Sequence, residues 1–198
     1  MKITIAENKA IISKKAAEEA ARILKKSIKK NNQARLLLST GISQIEFLNN
    51  LVKKDIDWSK VEVFHMEEFI GLPKKHKASS VNFLKNYFLD HIKVKKVNLI
   101  SCNKNINRTV SILNRKIKKS PIDLGIISIG ITGHIAFNNP PANLVIKQPF
   151  IKVKIDDFSK RYFLKTQNFK SIKEIPDEAI TITIRQILAS KNSIFFKS

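Results

Sequence analysis

One histidine stands in a glycine-containing turn directly after a short apolar run. The run at 124–129 has the pattern of a buried strand, and the turn that follows it contains Gly130, Gly133 and His134. Ligands of open α/β sheets bind at the carboxyl ends of parallel strands, where an imidazole can act as a general acid or base. A lone histidine is also commonly structural or simply exposed, and the spacing by itself leaves both interpretations open.

A short polar turn joins an apolar run to the start of a predicted helix. It consists of Ser39, Thr40, Gly41, Ile42 and Ser43. Free backbone N–H groups at such a turn, together with the helix dipole, favour an anion, and Gly41 lets the backbone approach it closely. The alternative is an ordinary strand-to-helix turn in which Ser43 caps the helix.

Two adjacent carboxylates, Glu67 and Glu68, follow the strand predicted at 61–66. Acids in this position are either solvated charges or a reactive carboxylate that its neighbour orients. A carboxylate at a strand end could take up and deliver a proton, which is general acid–base chemistry.

The size and composition of the chain indicate one α/β domain. Its 198 residues are 43% hydrophobic, which is enough for one well-buried core. No run approaches the ~20 apolar residues of a membrane span, and residues 1–7 lack the apolar core of a signal peptide, so we expect a cytoplasmic protein. The single cysteine, Cys102, and four scattered histidines show no zinc-site spacing. We expect neither a disulfide nor a bound metal.

The net charge of +21 raises the alternative of a basic, nucleic-acid-associated protein. The lysines, however, are spread through almost every segment together with abundant asparagine and isoleucine. This distribution fits a general compositional bias better than a binding stripe, and no helix-turn-helix, RNA-recognition or zinc-finger pattern is present. We therefore expect no specific nucleic-acid partner, and a basic surface can still attract an anionic small molecule.

Apolar periodicity predicts alternating strands and helices. Strands are predicted at 2–7, 35–39, 61–66, 97–101, 124–129, 150–155, 180–184 and 193–197. Helices are predicted within 12–28, at 43–54, from Ser79 or Ser80 to Ile92, at 108–118 and at 185–189, whereas 156–169 is ambiguous. Such alternation predicts an α/β fold with a single doubly wound, mainly parallel sheet and helices on both faces. No repeat or linker divides the chain, so we expect one domain.

Three blocks of the sequence resemble the glucosamine-6-phosphate deaminases and their sugar-phosphate isomerase relatives. The segment 130–141 is similar to that family's G-x-G-x-x-G-H-I-A-F-N-[DE]-P, with His134 as the histidine. The segment 64–73 is similar to F-x-[LM]-D-E-[YF]-x-G-L-P, with Glu67 and Glu68 as the two acids, and 39–43 resembles the phosphate loop. The blocks occur in the family's order, and the resemblance extends to about Ser193. Three ordered blocks are far more specific than any one of them.

The resemblance implies a chemistry that needs no cofactor. Glucosamine 6-phosphate would be converted to fructose 6-phosphate and ammonia, with Glu67 moving the C2 proton to C1 and Glu68 beside it. His134 would shuttle a proton while the pyranose ring opens. The turn at 39–43 would hold the phosphate, and Gly130 and Gly133 would shape the substrate loop.

The chain departs from the family pattern at several of these positions. Glu67 stands where aspartate is usual, and Gln44 where proline is frequent. The positions that assist the histidine are occupied by Thr132 and Asn139, which hydrogen-bond but supply no charge. We therefore expect His134 to be less basic than a histidine paired with a carboxylate. These neutral residues also favour the alternative of a non-catalytic sugar-phosphate-binding protein.

The resemblance also concerns the last predicted strand. Relatives continue past it for roughly 40 residues, through a helix with a phosphate-binding lysine and a final strand. We expect another cation to bind the phosphate, and the candidates are Lys160, Arg161 and Lys165.

An uncovered strand at 193–197 would leave apolar side chains without a helix above them. These are Ile194, Phe195 and Phe196. We expect them to pack against a partner subunit, as in a homo-oligomer, or to form an exposed patch. The alternative is that 156–169 covers them.

Overall fold

The computed structural model of the chain describes residues 3–73, 75–102, 105–167 and 169–197. Helices and strands alternate along it. The helices are α1 (Lys9–Asn31), α2 (Ile45–Leu51), α3 (Ser80–Leu84), α4 (Ile106–Ile117), α5 (Asp157–Thr166) and α6 (Ile184–Leu188). The strands are β1 (Ala34–Leu38), β2 (Val61–His65), β3 (Glu67–Phe69), β4 (Lys96–Asn98), β5 (Leu124–Ile129), β6 (Phe150–Lys154), β7 (Glu178–Ile182) and β8 (Ser193–Lys197). A π-helical turn, Lys85–Leu89, continues α3.

Five strands form a parallel sheet in the order β4-β2-β1-β5-β8. This confirms the predicted α/β class with a mainly parallel sheet. At its carboxyl edge, Leu38 of β1 lies opposite His65 of β2 and Ile126 of β5. The turns that follow β1, β2 and β5 therefore open at the same edge of the sheet.

Alternate residues of the central strands pack on opposite faces of this sheet. Leu36 and Leu38 contact the core cluster under α1 and α2, whereas Leu37 belongs to the cluster that includes Leu113 of α4 and Ile187 of α6. Neighbouring side chains of a strand point to opposite faces of the sheet. A continuous apolar run is therefore buried only when other elements pack on both faces. Helices lie on both faces, as the pattern predicts.

The prediction of a single sheet is wrong, because three strands form a second, antiparallel sheet in the order β3-β7-β6. Met66 separates the end of β2 from the start of β3, and Glu67 pairs with Thr181 of β7. A three-residue strand has too short a pattern to be recognised, and its partner lies far along the chain. This small sheet carries the cluster of Phe69, Phe163 and Phe169.

The strand predicted at 2–7 is wrong for the residues that the structure describes. Residues 3–7 are neither helix nor strand, and Ile5 is 90% exposed. No described strand pairs with them, so the alternating pattern gains no inter-strand hydrogen bonds. Lys2 lies outside the described residues. The chain instead enters α1 at Asn8, whose side chain accepts a hydrogen bond from the Ile11 N–H.

No helix in the described part of the chain is both long and apolar enough to cross a membrane.

The last strand, β8, is an edge strand of the five-stranded sheet as described. Phe196 packs against Phe47 of α2, with ring centroids 5.1 Å apart, and Ile194 joins the same core cluster. Phe195 points to the other side and is 46% exposed. The segment 156–169 does not cover β8, because Phe163 of α5 packs against Phe69 and Phe137 instead.

We expect Phe195 to contribute to self-association, because an exposed aromatic side chain on an unpaired strand edge favours contact with a second apolar surface. Sedimentation velocity should show association of the 198-residue chain that Phe195→Asp reduces. Phe158→Asp, at an exposed phenylalanine on α5, is the matched control and should leave it unchanged. A single monomeric species of the unmodified chain at all concentrations would contradict this expectation.

Candidate active site

A cleft of about 600 Å³ opens at the carboxyl edge of the parallel sheet. Its floor is formed by the turn after β1 and by Ser128 and Gly130 at the end of β5. Glu67 and His134 line it, and the elements α3 and α5 form its side walls. The structure thus brings together three of the groups singled out in the sequence: the turn at 39–43, one carboxylate of the acidic pair, and the histidine.

The turn after β1 has the geometry of an anion-binding loop. Gly41 adopts φ 121°, which L-residues rarely adopt, and open space surrounds the position of a Cβ there. A 3-10 turn, Ile42–Gln44, follows and leads into α2, so the amides at its start lack intrahelical acceptors. All five residues from Ser39 to Ser43 line the cleft. The backbone N–H groups of residues 41–43 can therefore donate to a bound phosphate, whereas the Ser39 N–H donates to the Ile126 carbonyl oxygen over 2.9 Å.

Gln44, in the position where proline is frequent in the family, is buried beneath this turn. Its Nε2 donates to Ser128 Oγ over 2.6 Å, and Ser128 Oγ also lies 3.1 Å from Ser39 Oγ. The amide side chain thus ties the turn to the end of β5. This contact gives the departure at Gln44 a structural role.

Glu67 is held at the wall of the cleft by a hydroxyl group. Thr40 Oγ1 donates to Glu67 Oε1 over 2.8 Å, and Ser80 Oγ lies 3.0 Å from Thr40 Oγ1. Burial raises the pKa of Glu67 to about 7, with Glu68 adding to the rise and hydrogen bonding from Thr40 opposing it. A carboxyl group with a pKa near neutrality is well matched to taking up and releasing a proton.

Glu68 has a different environment from its neighbour. Its carboxylate accepts hydrogen bonds from the backbone N–H groups of Phe69, Ser80 and Val81 and from the Ser79 hydroxyl. Burial raises the pKa of Glu68, and these hydrogen bonds act against the rise. Both oxygens are occupied in anchoring the start of α3, and Glu68 does not line the cleft. The structure therefore places it outside the predicted catalytic group, in a supporting position.

His134 faces the cleft from the turn after β5. Its Nδ1 lies 2.7 Å from Thr132 Oγ1, and its ring packs edge-on against Tyr162 with centroids 5.3 Å apart. Burial lowers the pKa of His134. The direction agrees with the expectation of a less basic imidazole, and the cause is removal from water. The neutral ring has one nitrogen that can accept a proton and one that can donate.

His65 shows how the structure separates two histidines that look alike in the sequence. It is fully buried at the end of β2, and its Nε2 accepts a hydrogen bond from the Ile100 N–H over 2.8 Å. Burial lowers its pKa to about 3, so it is neutral and links β2 to the end of β4. It has the structural role that was the alternative for His134.

The loop that carries His134 is anchored by Asn138, which the sequence analysis did not single out. Its Nδ2 lies within hydrogen-bond distance of the Ile135 and Ile182 carbonyl oxygens, both at 2.8 Å, and of Thr181 Oγ1. Thr181 Oγ1 also accepts from the Phe137 N–H. Asn138 follows the histidine by four residues in the resembling motif, and this fixed spacing was the available signal.

Besides Glu68, four predicted site residues do not line the cleft: Thr132, Gly133, Asn139 and Lys165. Asn139 donates to Asp156 Oδ2 and Ser159 Oγ at the start of α5, over 3.0 and 2.9 Å, rather than assisting His134. Lys165 is exposed on α5 and does not line the cleft. Thr132 does contact the histidine, as predicted.

The other basic candidates give a similar result. Lys160 forms an ion pair with Asp177, and neither it nor Arg161 lines the cleft. Lys77, which precedes α3, does line it with an exposed side chain. It is the one lysine or arginine among the described residues that line the cleft, so it is available to contact a phosphate. Nothing in its local sequence distinguishes it from the other lysines.

Within the ranges that the structure describes, no group of three His, Cys, Asp or Glu side chains could hold a metal ion.

Gly130 leaves room for the histidine. A Cβ at this position would overlap the imidazole ring of His134. We expect Gly130→Ala to displace the ring and to slow the reaction that the resemblance implies, followed as C2-hydrogen exchange of glucosamine 6-phosphate, by about 10- to 100-fold, because small misplacements of an acid–base group are costly. Thermal unfolding should change little, since the half-buried ring can move.

Gly125→Ala, the same substitution at the other end of β5, is the control for this prediction. A Cβ there would contact the Ile127 and Ser193 side chains, far from the cleft lining. Equal rates in Gly130→Ala and the unmodified chain would show that the position of the His134 ring does not matter for the reaction.

The fold and this edge-of-sheet site define a class of sugar-phosphate enzymes, and comparison with known proteins agrees. The family model of glucosamine-6-phosphate isomerases/6-phosphogluconolactonase matches residues 7–198, and the chain belongs to this family. A glucosamine-6-phosphate deaminase of Thermoanaerobacter sp. (strain X514) is 33% identical over 208 residues, covering 100% of this chain and 78% of that protein. That of Clostridium tetani is 32% identical over 202 residues, covering 98% and 80%.

Solved structures share the fold at lower identity. One described as a monomeric glucosamine-6-phosphate deaminase superposes with a TM-score of 0.85 at 20% identity, covering 98% of this chain and 81% of that one. A 6-phosphogluconolactonase from Shewanella baltica gives a TM-score of 0.74 at 17% identity, with 98% and 81% covered. Both activities thus occur on this fold.

Proposed function

We propose that this protein converts glucosamine 6-phosphate to fructose 6-phosphate and ammonia. The observation that carries the proposal is Glu67, a carboxyl group with a pKa of about 7 in the same cleft as His134 and an anion-binding turn. An aldose–ketose conversion needs a group that takes a proton from carbon and returns it to the adjacent carbon. A carboxyl group poised between its two protonation states meets that need near neutral pH. The names of the most similar relatives support the same reaction.

The phosphate of the substrate binds at the turn 41–43 through backbone N–H groups. Lys77, at the rim of the cleft, adds a positive charge. With the phosphate held there, the sugar extends toward Glu67 and His134, which line the same cleft. His134 is neutral because burial lowers its pKa, so its free nitrogen takes the proton of the C1 hydroxyl and returns a proton to the ring oxygen. The ring opens to the aldehyde.

Glu67 then moves a proton between two carbons. Its carboxylate takes the hydrogen of C2, the electrons of that bond form a C1–C2 double bond, and the C1=O π electrons pass to the oxygen, which takes a proton from water and leaves hydroxide. Return of the proton from Glu67 to C1 converts the 2-amino enol to a C2 iminium ion. Water adds to the iminium carbon and ammonia leaves, which gives the ketose, and the proton released neutralises the hydroxide. No oxidant or cofactor enters this balance.

The experiment combines three measurements on the purified chain. Isothermal titration measures the affinity for glucosamine 6-phosphate, ammonia release measures turnover, and NMR in D2O follows exchange of the C2 hydrogen. We expect binding, exchange and ammonia release together. Hydrolysis of 6-phosphogluconolactone without ammonia release would assign the other activity of the family, because lactone hydrolysis breaks no C–H bond. Binding without any turnover would leave a non-catalytic sugar-phosphate-binding protein.

A further inference from the structure

Three side chains form a hydrogen-bonded row that begins outside the reacting centre and ends on Glu67. Ser80 Oγ lies 3.0 Å from Thr40 Oγ1, which lies 2.8 Å from Glu67 Oε1. Thr40 belongs to the phosphate-binding turn in sequence, yet its hydroxyl is directed at the carboxylate. Its role therefore differs from that of Gly41 and Ser43 in the same turn.

The chemistry of the three groups decides the direction of the row. An ionised carboxylate only accepts hydrogen bonds, so the single hydroxyl proton of Thr40 goes to Glu67. The Thr40 oxygen then accepts the proton of the Ser80 hydroxyl. Ser80 is itself held in place, because its backbone N–H donates to Glu68 Oε1 over 3.2 Å. Glu68 thus positions Ser80, Ser80 positions Thr40, and Thr40 positions Glu67.

The two oxygens of Glu67 are left unequal by this arrangement. Oε1 is occupied by Thr40, whereas Oε2 has no hydrogen-bond partner in the part of the chain that the structure describes. Oε2 is also buried, and because it carries no hydrogen bond it is the oxygen that can take up a proton. When Oε2 is protonated, Oε1 can still accept from Thr40, so no rearrangement is needed between the two states of the carboxyl group.

We infer that Thr40 is a positioning residue for Glu67 rather than a ligand of the phosphate, and that Ser80 orients Thr40. The inference rests on the proposed function, in which Glu67 is the proton carrier. Thr40 cannot give its one proton to a phosphate and to Glu67 at the same time. Ser43 is the better hydroxyl for the phosphate, since its nearest hydroxyl contact, with Ser128 Oγ, is a long 3.5 Å.

The hydrogen bond from Thr40 also affects the ionisation of Glu67. Hydrogen bonding from Thr40 lowers the pKa of Glu67 against the effect of burial, so it keeps a larger fraction of the carboxyl group ionised. The other titratable groups near it are Glu68, which acts in the opposite direction, and His134, Lys77, Tyr87 and Tyr162, which line the cleft. Removal of the Thr40 hydroxyl leaves only hydrogen bonding from the Thr40 backbone to oppose burial and Glu68, so the pKa of Glu67 should rise.

The test compares Thr40→Val, which keeps the shape and loses the hydroxyl, with Thr40→Ser, which keeps the hydroxyl. We expect the ascending limb of the pH profile of C2-hydrogen exchange, where Glu67 becomes ionised, to move up by about one pH unit in Thr40→Val. Affinity for glucosamine 6-phosphate should stay within about threefold, because the phosphate is held elsewhere. Thr40→Ser should restore the limb, and Ser80→Ala should move it part of the way.

Thr109→Val is the matched control. It removes a threonine hydroxyl on α4 that donates to the Ser101 carbonyl oxygen. Thr109 does not line the cleft, so the pH profile of C2-hydrogen exchange should stay unchanged. A fall in affinity with an unmoved limb in Thr40→Val would make Thr40 a phosphate ligand and overturn the inference. If Thr40→Val does not fold, an unmoved limb in Ser80→Ala with Thr40 intact would overturn the role of the row.

A second measurement tests the role of Thr40 independently of the proposed function. The pKa of the Glu67 carboxyl group can be followed without substrate by 13C NMR, with Glu67→Gln assigning its signal. We expect a higher pKa in Thr40→Val than in the unmodified chain or Thr109→Val. If the chain exchanges no C2 hydrogen at all, the proposed function fails while this titration still decides whether Thr40 acts on Glu67. An unchanged pKa would overturn the inference whatever the activity.

Discussion

Glu67→Gln is expected to lower the rate of C2-hydrogen exchange in glucosamine 6-phosphate by about 10²- to 10⁴-fold. The amide has nearly the same shape as the carboxyl group, accepts the Thr40 hydrogen bond, and cannot carry the proton. Affinity measured by titration should change only a few-fold, because the phosphate-binding turn is untouched. In the unmodified chain the rate should rise with pH through about 7, since Glu67 must be ionised to take the proton.

The same substitution has an expected effect on stability that depends on pH. The pKa of Glu67 is about 7 in the folded chain, above the ordinary value of 4.5, so the folded state binds more protons between these values. The free energy of unfolding therefore falls as pH rises from about 4.5 to 7. Glutamine does not titrate, so the free energy of unfolding of Glu67→Gln does not fall in this pH range. At pH 8 it should exceed that of the unmodified chain by about 1–3 kcal/mol, and at pH 4 it should not exceed it.

Two further variants make the exchange result specific. Glu7→Gln removes an exposed carboxylate and should change neither rate nor stability. Glu68→Gln should be destabilised, because an amide NH2 group would face the N–H and hydroxyl donors that start α3. Exchange at the full rate in a folded Glu67→Gln chain would place the base elsewhere and refute the assignment.

Arg35→Met should lower the free energy of unfolding by about 3–5 kcal/mol, since it removes one partner of a largely buried ion pair and leaves backbone carbonyl oxygens without their donor. Arg35 on β1 is only 3% exposed and lies 2.9 Å from Glu62 of β2. Its guanidinium also donates to the Lys116, Ile117 and Ser120 carbonyl oxygens at the end of α4, and it lies over the Phe64 ring. The methionine fills most of the space and satisfies none of these acceptors.

Urea unfolding at two pH values tests this prediction. Burial raises the pKa of Glu62, but hydrogen bonds from Asn98 and Arg35 and the charges of Arg35 and Lys96 outweigh it, so the net direction is down. That contribution is present at neutral pH and is lost as pH falls, so the difference between Arg35→Met and the unmodified chain should narrow in acid. Arg22→Met, at an exposed arginine paired with Glu19, is the control. A loss no larger than that of the control would show that the buried pair does not stabilise the sheet.

Local patterns in the sequence determined the order of most elements and three parts of the cleft. The apolar runs before Ser39 and Gly130 are strands, because a strand buried on both faces needs consecutive apolar residues. The turns after them are short and glycine-containing, and parallel strands bring such turns to one edge. The position of the 39–43 turn and His134 at one edge of the sheet therefore follows from local patterns and parallel strand order.

The types and spacing of the two adjacent acids do not say which of them enters the cleft; the family resemblance assigned the reactive role to Glu67, and the tertiary structure gives the physical reason. Glu67 and Glu68 are identical in type and consecutive in β3, where successive side chains point to opposite faces. One turns toward Thr40 and the cleft, the other toward the start of α3, and the choice depends on β3 pairing with β7 more than 100 residues later. The same holds for Asn139, which binds α5, and for residues 3–7, which have strand-like alternation and no strand to pair with. A side chain's partner across the fold depends on contacts that no local spacing encodes.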